Sequence, residues 1–525
     1  MKLALSFRLL KMIVWSCLLL LCGCAALRTD VRDREVGMLP VPERAVCEFR
    51  AAWVATVANI DWPSAPGLTS DEQKNEALVI LDRAKALNLN AIILQVRPQC
   101  DAFYTSDIEP WSFFLNGKQG SPPDPFYDPL AFWVEEAHNR GLELHAWFNP
   151  YRAHHPNGGD VTGTSVVRTH PGIVRELKGG YFWLDPAKKE TQDYSLDVII
   201  DVVRRYDIDG VHLDDYFYPY PSYNDNEDFP DDETWAKYRN KGRRLSRGDW
   251  RRENVNVFVR RLYRAIKAEK RHVKFGISPF GIWRPNNPAS ILGFDQYGVL
   301  YADAKLWLNE GWVDYWTPQL YWPIRRIPQS YPVLLGWWVR ENTHNRNLWP
   351  GLYTSRINDE RGADENVNQI MVTRGFLPER PGNVHFSMKA LLDNRGGIAD
   401  SLVTGPYRNQ ALVPSSPWLD DKAPAAPHIS ASVEGENLVI SWKPEKEEAF
   451  RWVVYLEQDG AWRYEILNRQ DRQYTVCLSG SVADGTGTVA SGADSAKVGP
   501  VTHVAVSAVD RMGNESPRAL LKIGD

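Results

Sequence analysis

Short apolar runs alternate with longer amphipathic stretches along most of the chain from residue 47 onward. This alternation predicts a parallel β-sheet whose strands are connected by crossover helices. We predict strands at Phe49–Val57, Ala91–Val96, Glu143–Phe148, Val211–Asp215, Val273–Ser278, Val313–Leu320, Leu348–Tyr353 and Asn383–Met388.

The stretches between these strands carry apolar residues at helical spacing. In the first of them, Ser70 and Gln73 resemble a capping box at the start of the helix. We predict helices at Ser70–Leu87, Pro129–Arg140, Lys188–Tyr206, Trp250–Lys270, Gly298–Glu310, Tyr331–Asn342, Asp364–Arg374 and Gly397–Leu402. The acidic stretch Asn224–Trp235 and the basic run Lys241–Arg252 are predicted to delay the helix after the fourth strand.

Eight units of strand and helix over about 360 residues fit a (β/α)8 TIM barrel with enlarged loops. The alternative is an open, doubly wound α/β sheet, but no glycine-rich phosphate loop follows any predicted strand. Polar and aromatic residues gather after the strands, whereas the joints from helix to strand are short and plain. In a barrel this asymmetry marks the carboxyl ends of the strands as the functional end.

The barrel is predicted to span residues 47–422, and a second, all-β domain is predicted at residues 423–525. Alternating apolar positions separated by Gly, Asp and Ser turns indicate its strands. The clearest are Leu438–Trp442, Arg451–Leu456, Trp462–Ile466 and His503–Val509. The pattern resembles a fibronectin type III sandwich, a module that usually serves as a spacer or docking domain.

Residues 1–24 have the pattern of a bacterial lipoprotein signal peptide. Three basic residues precede the apolar run Met12–Leu21, which is short for a membrane span. The segment ends in Leu21-Cys22-Gly23-Cys24, which resembles a lipobox and implies cleavage before Cys24 and lipidation of its thiol. The alternatives are an ordinary signal peptide, cut near Ala25 or Ala26, and an uncleaved anchor.

The residue after the predicted lipidated cysteine is Ala25 and not Asp, which resembles the outer-membrane sorting pattern of Gram-negative bacteria. Residues 25–46 are polar and mixed in charge, and they are predicted to be a tether. We therefore expect an outer-membrane lipoprotein of the cell envelope, facing the periplasm or the cell surface.

The net charge of −5 at pH 7 is mild and argues against nucleic acid as the main partner. The chain contains 21 Trp and 22 Tyr, and many of them fall at predicted strand ends, where amphipathic rings suit a sugar-binding cleft. The Cys and His spacing of a zinc site does not occur. We expect a monomer that binds a glycan and uses neither a metal nor another cofactor.

The fourth predicted strand carries the strongest candidate chemistry at its end. Side chains alternate along Val211–Asp215, so His212 and Asp214 share one face of an otherwise apolar strand. Asp214 and Asp215, followed by Tyr216, are predicted to form the floor of a site for an uncharged, ring-shaped ligand. The alternative is that one of these carboxylates only caps a turn.

Several long motifs occur in a fixed order: Phe49–Val57, Asn59–Pro63, Gln95–Pro98, Asp101–Tyr104, Pro110–Ser112, His145–Arg152, Asp209–Tyr216 and Pro318–Trp322. Together they resemble the glycosyl hydrolase-like family 10 proteins, and the resemblance covers residues 47–407. It implies a bacterial TIM-barrel glycoside hydrolase that is distantly similar to the α-amylases. Members are commonly envelope lipoproteins, and some are linked to cleavage of peptidoglycan glycan strands whose peptides have been removed.

In the α-amylase pattern the fourth strand carries a basic residue, one spacer and a nucleophilic Asp. The resemblance therefore implies that Asp214 is the nucleophile and that His212 holds it. Those enzymes usually place a Glu acid after the fifth strand, but Gly276–Gly281 contains no carboxylate.

The second catalytic carboxylate must then come from elsewhere in the mouth. We rank Asp215 second and Asp61 third, since a carboxylate held close to Asp214 raises one of the two pKa values, as a general acid requires. The alternative for Asp61 is a role in the turn before Pro63. Other carboxylates predicted near the mouth are Asp101, Glu109, Asp185 and Asp393.

Hydrogen-bonding and aromatic residues at the strand ends are the candidates for substrate binding. Structural roles in the barrel mouth explain any one of them equally well, but their recurrence on several strands favours a site. The candidates are Arg97, His145, Asn149, Arg152, His212, Tyr216, Trp283, Gln319, Tyr321 and Trp322.

The sequence thus predicts a glycoside hydrolase of the cell envelope that acts on peptidoglycan-derived glycan. A glycan-binding lipoprotein without catalysis is the main alternative, motivated by the missing carboxylate after the fifth strand. A hydrolase of another envelope polysaccharide is the third possibility.

Overall fold

The computed structural model describes residues 41–358, 361–446, 449–477 and 499–523. The predicted signal peptide with Cys24 and residues 25–40 of the predicted tether lie outside these residues, so their assignment stays a prediction. Among the helices in the described ranges, none is both long and apolar enough to cross a membrane.

A parallel sheet of nine strand segments forms the centre of the larger part of the molecule. Neighbouring segments all pair in parallel. The mixed α/β class with parallel strands is therefore confirmed. In spatial order the segments are Asn347–Leu348, Tyr315–Trp316, Lys274–Ile277, Gly210–Leu213, Glu143–Phe148, Ala91–Arg97, Phe49–Val54, Gly382–His385 and Gly351–Leu352.

The two outermost segments of this sheet are neighbours in the sequence, because only Trp349 and Pro350 separate them. On one side, the N–H of Trp349 donates to the carbonyl of Trp316 at 2.8 Å; on the other, the N–H of Val384 donates to the carbonyl of Pro350 at 3.1 Å. The sheet therefore curls until one stretch of chain bonds to both of its flanks. Pro350 divides the predicted strand Leu348–Tyr353, since proline has no N–H for the ladder.

Both faces of the curled sheet are covered, which explains why its strands are buried along their whole length. Every residue of Phe49–Val54 and of Ala91–Arg97 is buried. Inside the curl, aromatic rings fill the space, and those of Phe49 and Trp349 stack with centroids 3.8 Å apart. The centre is therefore a packed core.

Helices follow the strands and pack on the outside of the sheet. The loop after the fourth strand, predicted as an acidic and a basic stretch, contains the extra helix Asp232–Asn240. The α-helices are Ser70–Ala86, Phe113–Asn116, Pro129–Asn139, Val166–Thr169, Lys189–Arg205, Asp232–Asn240, Arg247–Glu269, Gln296–Val299, Ala304–Asn309, Tyr331–Glu341, Ala363–Phe376, Met388–Leu392 and Ile398–Thr404. Short 3₁₀ turns lie at Val57–Asn59, Pro171–Ile173, Pro221–Asn224, Ile327–Gln329, Thr354–Arg356 and Arg395–Gly397.

The capping box of the first long helix lies one residue before the predicted position. The N-cap is Thr69, whose side chain accepts from the N–H of Glu72, while the Glu72 carboxylate accepts from the N–H of Thr69. Ser70 and Gln73 point inward instead, and the amide of Gln73 donates to the carbonyl of Leu68 at 2.9 Å. The prediction was wrong because both pairs have capping-box chemistry, and burial decides which one caps.

A small antiparallel sheet occupies the long excursion after the third barrel strand. Its strands are Arg152–His154, Val174–Glu176 and Phe182–Leu184. It stands beside the carboxyl end of the barrel, where it forms one wall of the mouth.

The carboxyl-terminal part is all β, as predicted, and consists of two antiparallel sheets. One contains His428–Glu434, Asn437–Lys443 and Gln473–Cys477; the other contains Ala461–Asn468, Arg451–Gln458, Val501–Val509 and Ala519–Lys522. Trp442 and Trp452 lie between the sheets, with ring centroids 6.0 Å apart. The finer likeness to fibronectin type III and the boundary at residue 422 stay predictions.

The all-β part packs under the amino ends of the barrel strands, opposite the mouth. Arg511 donates to the carboxylate of Asp207 at 2.6 Å and stacks on the ring of Phe450. The amide of Asn468 donates to the carbonyl of Asn139 at 2.7 Å. Residues Pro42–Asp525 form one compact unit.

Candidate active site

A pocket of about 260 Å³ opens at the carboxyl end of the curled sheet. Residues at or just after all eight predicted strands contribute to its lining, including Ala55, Gln95, Trp147, Asp214, Ser278, Gln319, Tyr353 and Phe386. This convergence arises because the carboxyl ends of parallel strands meet at the same edge. The pocket therefore lies where the carboxyl ends of these strands meet.

Asp214 and Asp215 lie together at the floor of this pocket. The regular strand Gly210–Leu213 ends just before them, and the chain bends at Asp215. Both side chains therefore line the pocket, although adjacent residues on a straight strand point to opposite faces. They are only 4% and 5% exposed, so each carboxyl group depends on protein donors.

Trp147 is the side-chain donor to Asp214. Its indole N–H donates to Oδ2 of Asp214 at 3.0 Å, and the N–H of Tyr216 donates to Oδ1 at 3.3 Å. Burial and the charge of Asp215 nevertheless raise the pKa of Asp214 to about 7. Asp214 therefore holds a proton up to near-neutral pH.

Asp215 receives side-chain donors from two other residues. The hydroxyl of Tyr220 and the amide of Gln319 both donate to its carboxylate. Burial raises the pKa of Asp215, and these donors oppose the rise because they stabilise the ionised form. Two adjacent carboxyl groups, one of which keeps its proton up to near-neutral pH, are an arrangement that can support acid and base catalysis.

His212 shares the strand with Asp214 but bonds in the opposite direction, into the core. The indole N–H of Trp53 donates to Nε2 of His212 at 3.2 Å, and an indole N–H cannot accept. The proton of His212 is therefore on Nδ1, which donates to the hydroxyl of Tyr315 at 3.0 Å. Burial lowers the pKa of His212 well below its usual value, so the ring is neutral.

The hydrogen bonds continue from Tyr315 through the barrel core. The Tyr315 hydroxyl donates to Nδ1 of His145 at 2.8 Å, and Nε2 of His145 donates to Glu143 at 3.0 Å. Lys274 donates to the other oxygen of Glu143 at 2.6 Å. His145, predicted to bind substrate, therefore lies below the pocket as part of a buried chain.

Two glycines on neighbouring strands make room for this chain. A Cβ on Gly276 would lie about 2.0 Å from the ring of Tyr315, and a Cβ on Gly210 would lie 2.6 Å from the ring of His145. Any larger residue would displace these rings. The glycines thus explain why large polar rings fit inside a packed barrel.

Arg152 and Tyr216 begin a row of aromatic rings that leads out of the pocket. The guanidinium of Arg152 lies 5.0 Å above the ring of Tyr216. The ring of Tyr223 is nearly parallel to that of Tyr216 at 6.3 Å, and the ring of Tyr181 stacks on Tyr223 at 4.1 Å. Because these rings face one another, the row presents mainly ring edges and hydroxyl groups to a ligand that passes along it.

Asp61, predicted as the third catalytic carboxylate, holds two loops together. Its Oδ2 accepts from the N–H of Ala55 at 2.8 Å, and its Oδ1 accepts from the hydroxyl of Ser387 at 2.6 Å and the N–H of Lys389 at 2.8 Å. The loop after the first strand is thereby tied to the loop after the last one. Asp61 does not belong to the lining of the pocket.

Arg97 and Asn149, predicted substrate ligands, are fully buried and bond to protein groups. Arg97 donates to both carboxylate oxygens of Glu109, at 2.6 and 2.8 Å, and to the carbonyl of Asn149. Oδ1 of Asn149 accepts from the N–H of Arg152 at 2.8 Å. These bonds fix the loops that carry Arg152 to the pocket.

The two predicted tryptophans also lie outside the pocket lining. Trp283 stacks over Trp337 at 5.9 Å on the far side of the fifth strand's loop. Trp322 packs edge-on against Phe280 at 5.5 Å and lines the neighbouring groove. The predicted residues that line the pocket are Asp214, Asp215, Arg152, Tyr216, Gln319 and Tyr321.

A metal centre has no support among the described residues, where no group of three or more His, Cys, Asp or Glu side chains is placed to hold an ion. The pocket lining combines carboxyl groups, aromatic rings, hydrogen-bond donors and a few aliphatic side chains.

A sequence model of the glycosyl hydrolase-like 10 family matches residues 48–368, a region that contains every residue lining the pocket except Phe386. The chain belongs to the glycosyl hydrolase-like 10 family. The family resemblance inferred from the sequence motifs is thereby confirmed.

Relatives of this glycosyl hydrolase-like 10 protein carry the same description. The chain is 43% identical over 404 residues to "Glycosyl hydrolase YngK" of Bacillus subtilis (strain 168), covering 74% of this chain and 78% of that protein. It is 36% identical over 402 residues to "Glycosyl hydrolase DigH" of Escherichia coli (strain K12), covering 69% of this chain and 85% of that protein.

Solved structures are more distant. The glycoside hydrolase domain of PgaB (BpsB) from Bordetella bronchiseptica is 13% identical with a TM-score of 0.46, covering 68% of this chain and 98% of that chain. The catalytic domain of β-amylase from Paenibacillus polymyxa is 13% identical with a TM-score of 0.44, covering 67% and 95%. Likeness at this distance carries no argument about the reaction.

Several pocket residues of this glycosyl hydrolase-like 10 protein were not predicted. Trp147 sits two residues after His145, so the alternation of the third strand was a signal that it shares a face with His145. Tyr220 reaches Asp215 only because the chain bends after the fourth strand. Phe280, Tyr353 and Phe386 are brought in by the curl of the sheet alone.

Proposed function

We propose that this protein is a glycoside hydrolase of the bacterial cell envelope that cleaves glycan strands of peptidoglycan freed from their peptides. The observation that carries the proposal is the pair Asp214 and Asp215 on the floor of the barrel pocket, in a chain of the glycosyl hydrolase-like 10 family. Glycoside hydrolysis ordinarily needs two carboxyl groups that flank the scissile bond.

In the proposed reaction the two carboxyl groups have different tasks. Asp214, whose pKa is raised to about 7, gives its proton to the glycosidic oxygen as the C–O bond to the anomeric carbon breaks. Asp215, stabilised as an anion by Tyr220 and Gln319, attacks the anomeric carbon or activates water. This assignment reverses the roles that the α-amylase pattern implied for Asp214.

The proposed substrate class is supported by the lining of the pocket and by the family to which the chain belongs. Trp147, Tyr216 and Tyr321 present rings to the pocket, while Arg152 and Gln319 supply donors for sugar hydroxyls. A peptide-free strand is a slender chain of sugar rings, which suits a narrow pocket lined by aromatic rings and hydrogen-bond donors. The predicted lipid anchor at Cys24 belongs to the same proposal, since it places the barrel beside the cell wall.

The decisive experiment incubates the mature protein with purified peptide-free glycan strands and counts new reducing ends. We expect cleavage by the natural protein and a loss of at least about a hundredfold in rate for Asp214→Asn and for Asp215→Asn. Asp107→Asn, at an exposed position, is the matched control. An unchanged rate in Asp214→Asn would overturn the assignment.

The second candidate function is a glycan-binding protein without catalysis. It is favoured by one observation: the fifth strand and the loop after it, Lys274–Gly281, carry no carboxylate where related barrels place their acid. Stoichiometric retention of intact strands by the natural protein, with no new reducing ends over long incubation, would favour this function.

A further inference from the structure

The basic stretch after the fourth strand divides into a part that pairs with acidic residues and a part that does not. Arg247 and Arg251 both bond to the carboxylate of Asp231. Residues 237–246, by contrast, contain five Lys or Arg and no Asp or Glu. This segment therefore carries a local excess of positive charge on a protein whose net charge is −5.

Two of the five cations have a structural explanation. The segment begins in the last turn of the helix Asp232–Asn240, where cations stabilise a helix. Lys237 and Arg239 lie in that turn, and Lys237 also pairs with Glu233 one turn earlier. The helix therefore accounts for these two residues and leaves three cations without such a role.

The other three cations lie in the turn that follows the helix. They are Lys241, Arg243 and Arg244, and all three are exposed. Within the part of the chain that the structure describes, none of them forms an ion pair. Leu245 follows them directly and is 42% exposed. Three unpaired cations and an apolar side chain are thus grouped on one turn of the surface.

A cluster of aromatic rings supports this turn from below. The ring of Tyr238 stacks on that of Trp235 at 5.4 Å, and both rings pack against the buried ring of Trp250. The guanidinium of Arg243 lies 5.6 Å from the centre of the Tyr238 ring, and the N–H of Leu245 donates to the Tyr238 hydroxyl at 3.3 Å. A guanidinium whose face lies on a ring keeps its N–H edge free for an anion.

We propose that this turn is a membrane-contact surface, in which Lys241, Arg243 and Arg244 bind the phosphate groups of an anionic lipid bilayer and Leu245 enters the bilayer interface. Basic residues are attracted to the negative surface potential of such a bilayer. An exposed apolar side chain among them favours a bilayer over a soluble polyanion, because a soluble polyanion has no apolar layer. This contact is independent of the proposed reaction.

The contact also determines how the molecule lies on a bilayer. The turn belongs to the loop after the fourth strand, at the end of the barrel where the pocket opens. Ala45 and Val46, which follow the predicted tether, donate instead to the hydroxyls of Tyr455 and Tyr464 in the all-β part, at the other end. Attachment at both ends would lay the barrel along the bilayer, with the pocket opening parallel to the surface.

The test measures binding to lipid vesicles by co-sedimentation, using the chain from residue 25 onward without the predicted lipid. This chain retains the whole compact unit Pro42–Asp525. The vesicles contain phosphatidylcholine alone or an equimolar mixture of phosphatidylcholine and phosphatidylglycerol. We expect binding to the anionic vesicles to exceed binding to the neutral ones by about a hundredfold, since each of three cations contributes about fivefold. Added salt is expected to reduce this preference.

The triple variant Lys241→Gln, Arg243→Gln, Arg244→Gln is expected to lose the preference for anionic vesicles. Leu245→Ser is expected to weaken binding to the anionic vesicles about fivefold, because the apolar side chain no longer enters the interface. All four positions are exposed, and thermal unfolding is measured alongside to show that the variants are folded.

The control triple variant removes the same charge from scattered exposed positions and is expected to keep the full preference; its changes are Lys118→Gln, Lys422→Gln and Lys443→Gln. Equal binding of the natural chain to both kinds of vesicle, or an equal loss of preference in both triple variants, would refute the membrane contact. Binding to inorganic polyphosphate that depends on the three cations, without binding to anionic vesicles, would assign the turn to a soluble polyanion instead.

Discussion

At the scale of single residues, the site is defined by which donor each carboxyl group receives. His212 and Asp214 share a strand face, and the sequence suggested that the first holds the second. Trp53 and Tyr315 bind His212 instead, and Trp147 takes its place as the partner of Asp214. The physical reason is that Nε2 of His212 accepts from Trp53 and its Nδ1–H donates to Tyr315, so no N–H is left for a carboxylate.

Asp214 is expected to make the folded state less stable as pH rises. Its folded pKa, about 7, exceeds its unfolded value, so its contribution is greatest below pH 4 and is lost as pH rises to 7. Asp214→Asn removes this loss, and we expect it to raise the free energy of unfolding at pH 8 by at most about 4 kcal/mol. Urea denaturation at pH 4 and pH 8 measures the effect.

The control for this prediction is Asp107→Asn, which changes an exposed carboxylate. An Asp214→Asn protein that is no more stable than the natural one at pH 8 would contradict the raised pKa.

Trp147→Phe is expected to shift the pH dependence of the reaction. The indole N–H stabilises the ionised form of Asp214, so its loss raises the pKa of that carboxyl group further. The proton donor then survives to higher pH, and we expect the alkaline limb of the kcat profile to move up by about one pH unit. Trp235→Phe, on the surface helix Asp232–Asn240, serves as the control. A limb that stays in place or moves down would refute the role of Trp147.

At the scale of elements, the polar residues at the strand ends look in the sequence like residues of a binding site. Several of them instead make buried contacts that hold the loops in place. Arg97 and Asn149 lie at the ends of the second and third strands, where residues that bind sugars are expected. Their hydrogen bonds instead join the loops after these two strands to each other. The sequence cannot separate the two roles, because in a parallel sheet residues that hold a loop and residues that bind a ligand both lie just after the carboxyl end of a strand.

Arg97→Met is expected to destabilise the fold while leaving the affinity for substrate nearly intact. It leaves the carboxylate of Glu109 buried without its bidentate partner, which costs about 3–5 kcal/mol. Replacing Glu109 by Gln in the same protein restores part of the loss, because the buried charge is removed. Thermal unfolding and the KM for glycan strands separate the two effects. A raised KM at unchanged stability would instead make Arg97 a ligand.

At the scale of the whole molecule, the all-β part closes the barrel at the end away from the pocket. Its contacts reach the residues just before the fourth strand, where Arg511 bonds Asp207 and lies 4.0 Å from Asp209. Asp209 in turn pairs with His138 and accepts from the N–H of Leu144. The strand that leads to Asp214 and Asp215 is thus held at its amino end by contacts with the all-β part.

Arg511→Ala is expected to lower the stability of the molecule without changing the reaction. It removes the bond to Asp207 and the stacking on Phe450, and we expect a loss of about 1–3 kcal/mol. Calorimetric unfolding and kcat on glycan strands are the measurements. A large fall in kcat at unchanged stability would show that the lower contacts govern the pocket.

The sequence by itself determined the order of strands and helices, because local periodicity fixes which stretch is extended and which is helical. It also determined the family, through motifs such as His145–Arg152 and Asp209–Tyr216, and it placed Asp214 and Asp215 at a strand end. These features depend on short stretches of chain, so the local sequence is enough to identify them.

Only the tertiary structure decided which of the polar residues at the strand ends face the pocket. The buried bonds that join Arg97 to Asn149 and Asp61 to Ser387 depend on groups far away in the sequence. A carboxylate or guanidinium is a ligand, an acid or a structural tie according to the partners that reach it. Those partners are set by how the sheet curls and how its loops pack, and local sequence does not encode that geometry.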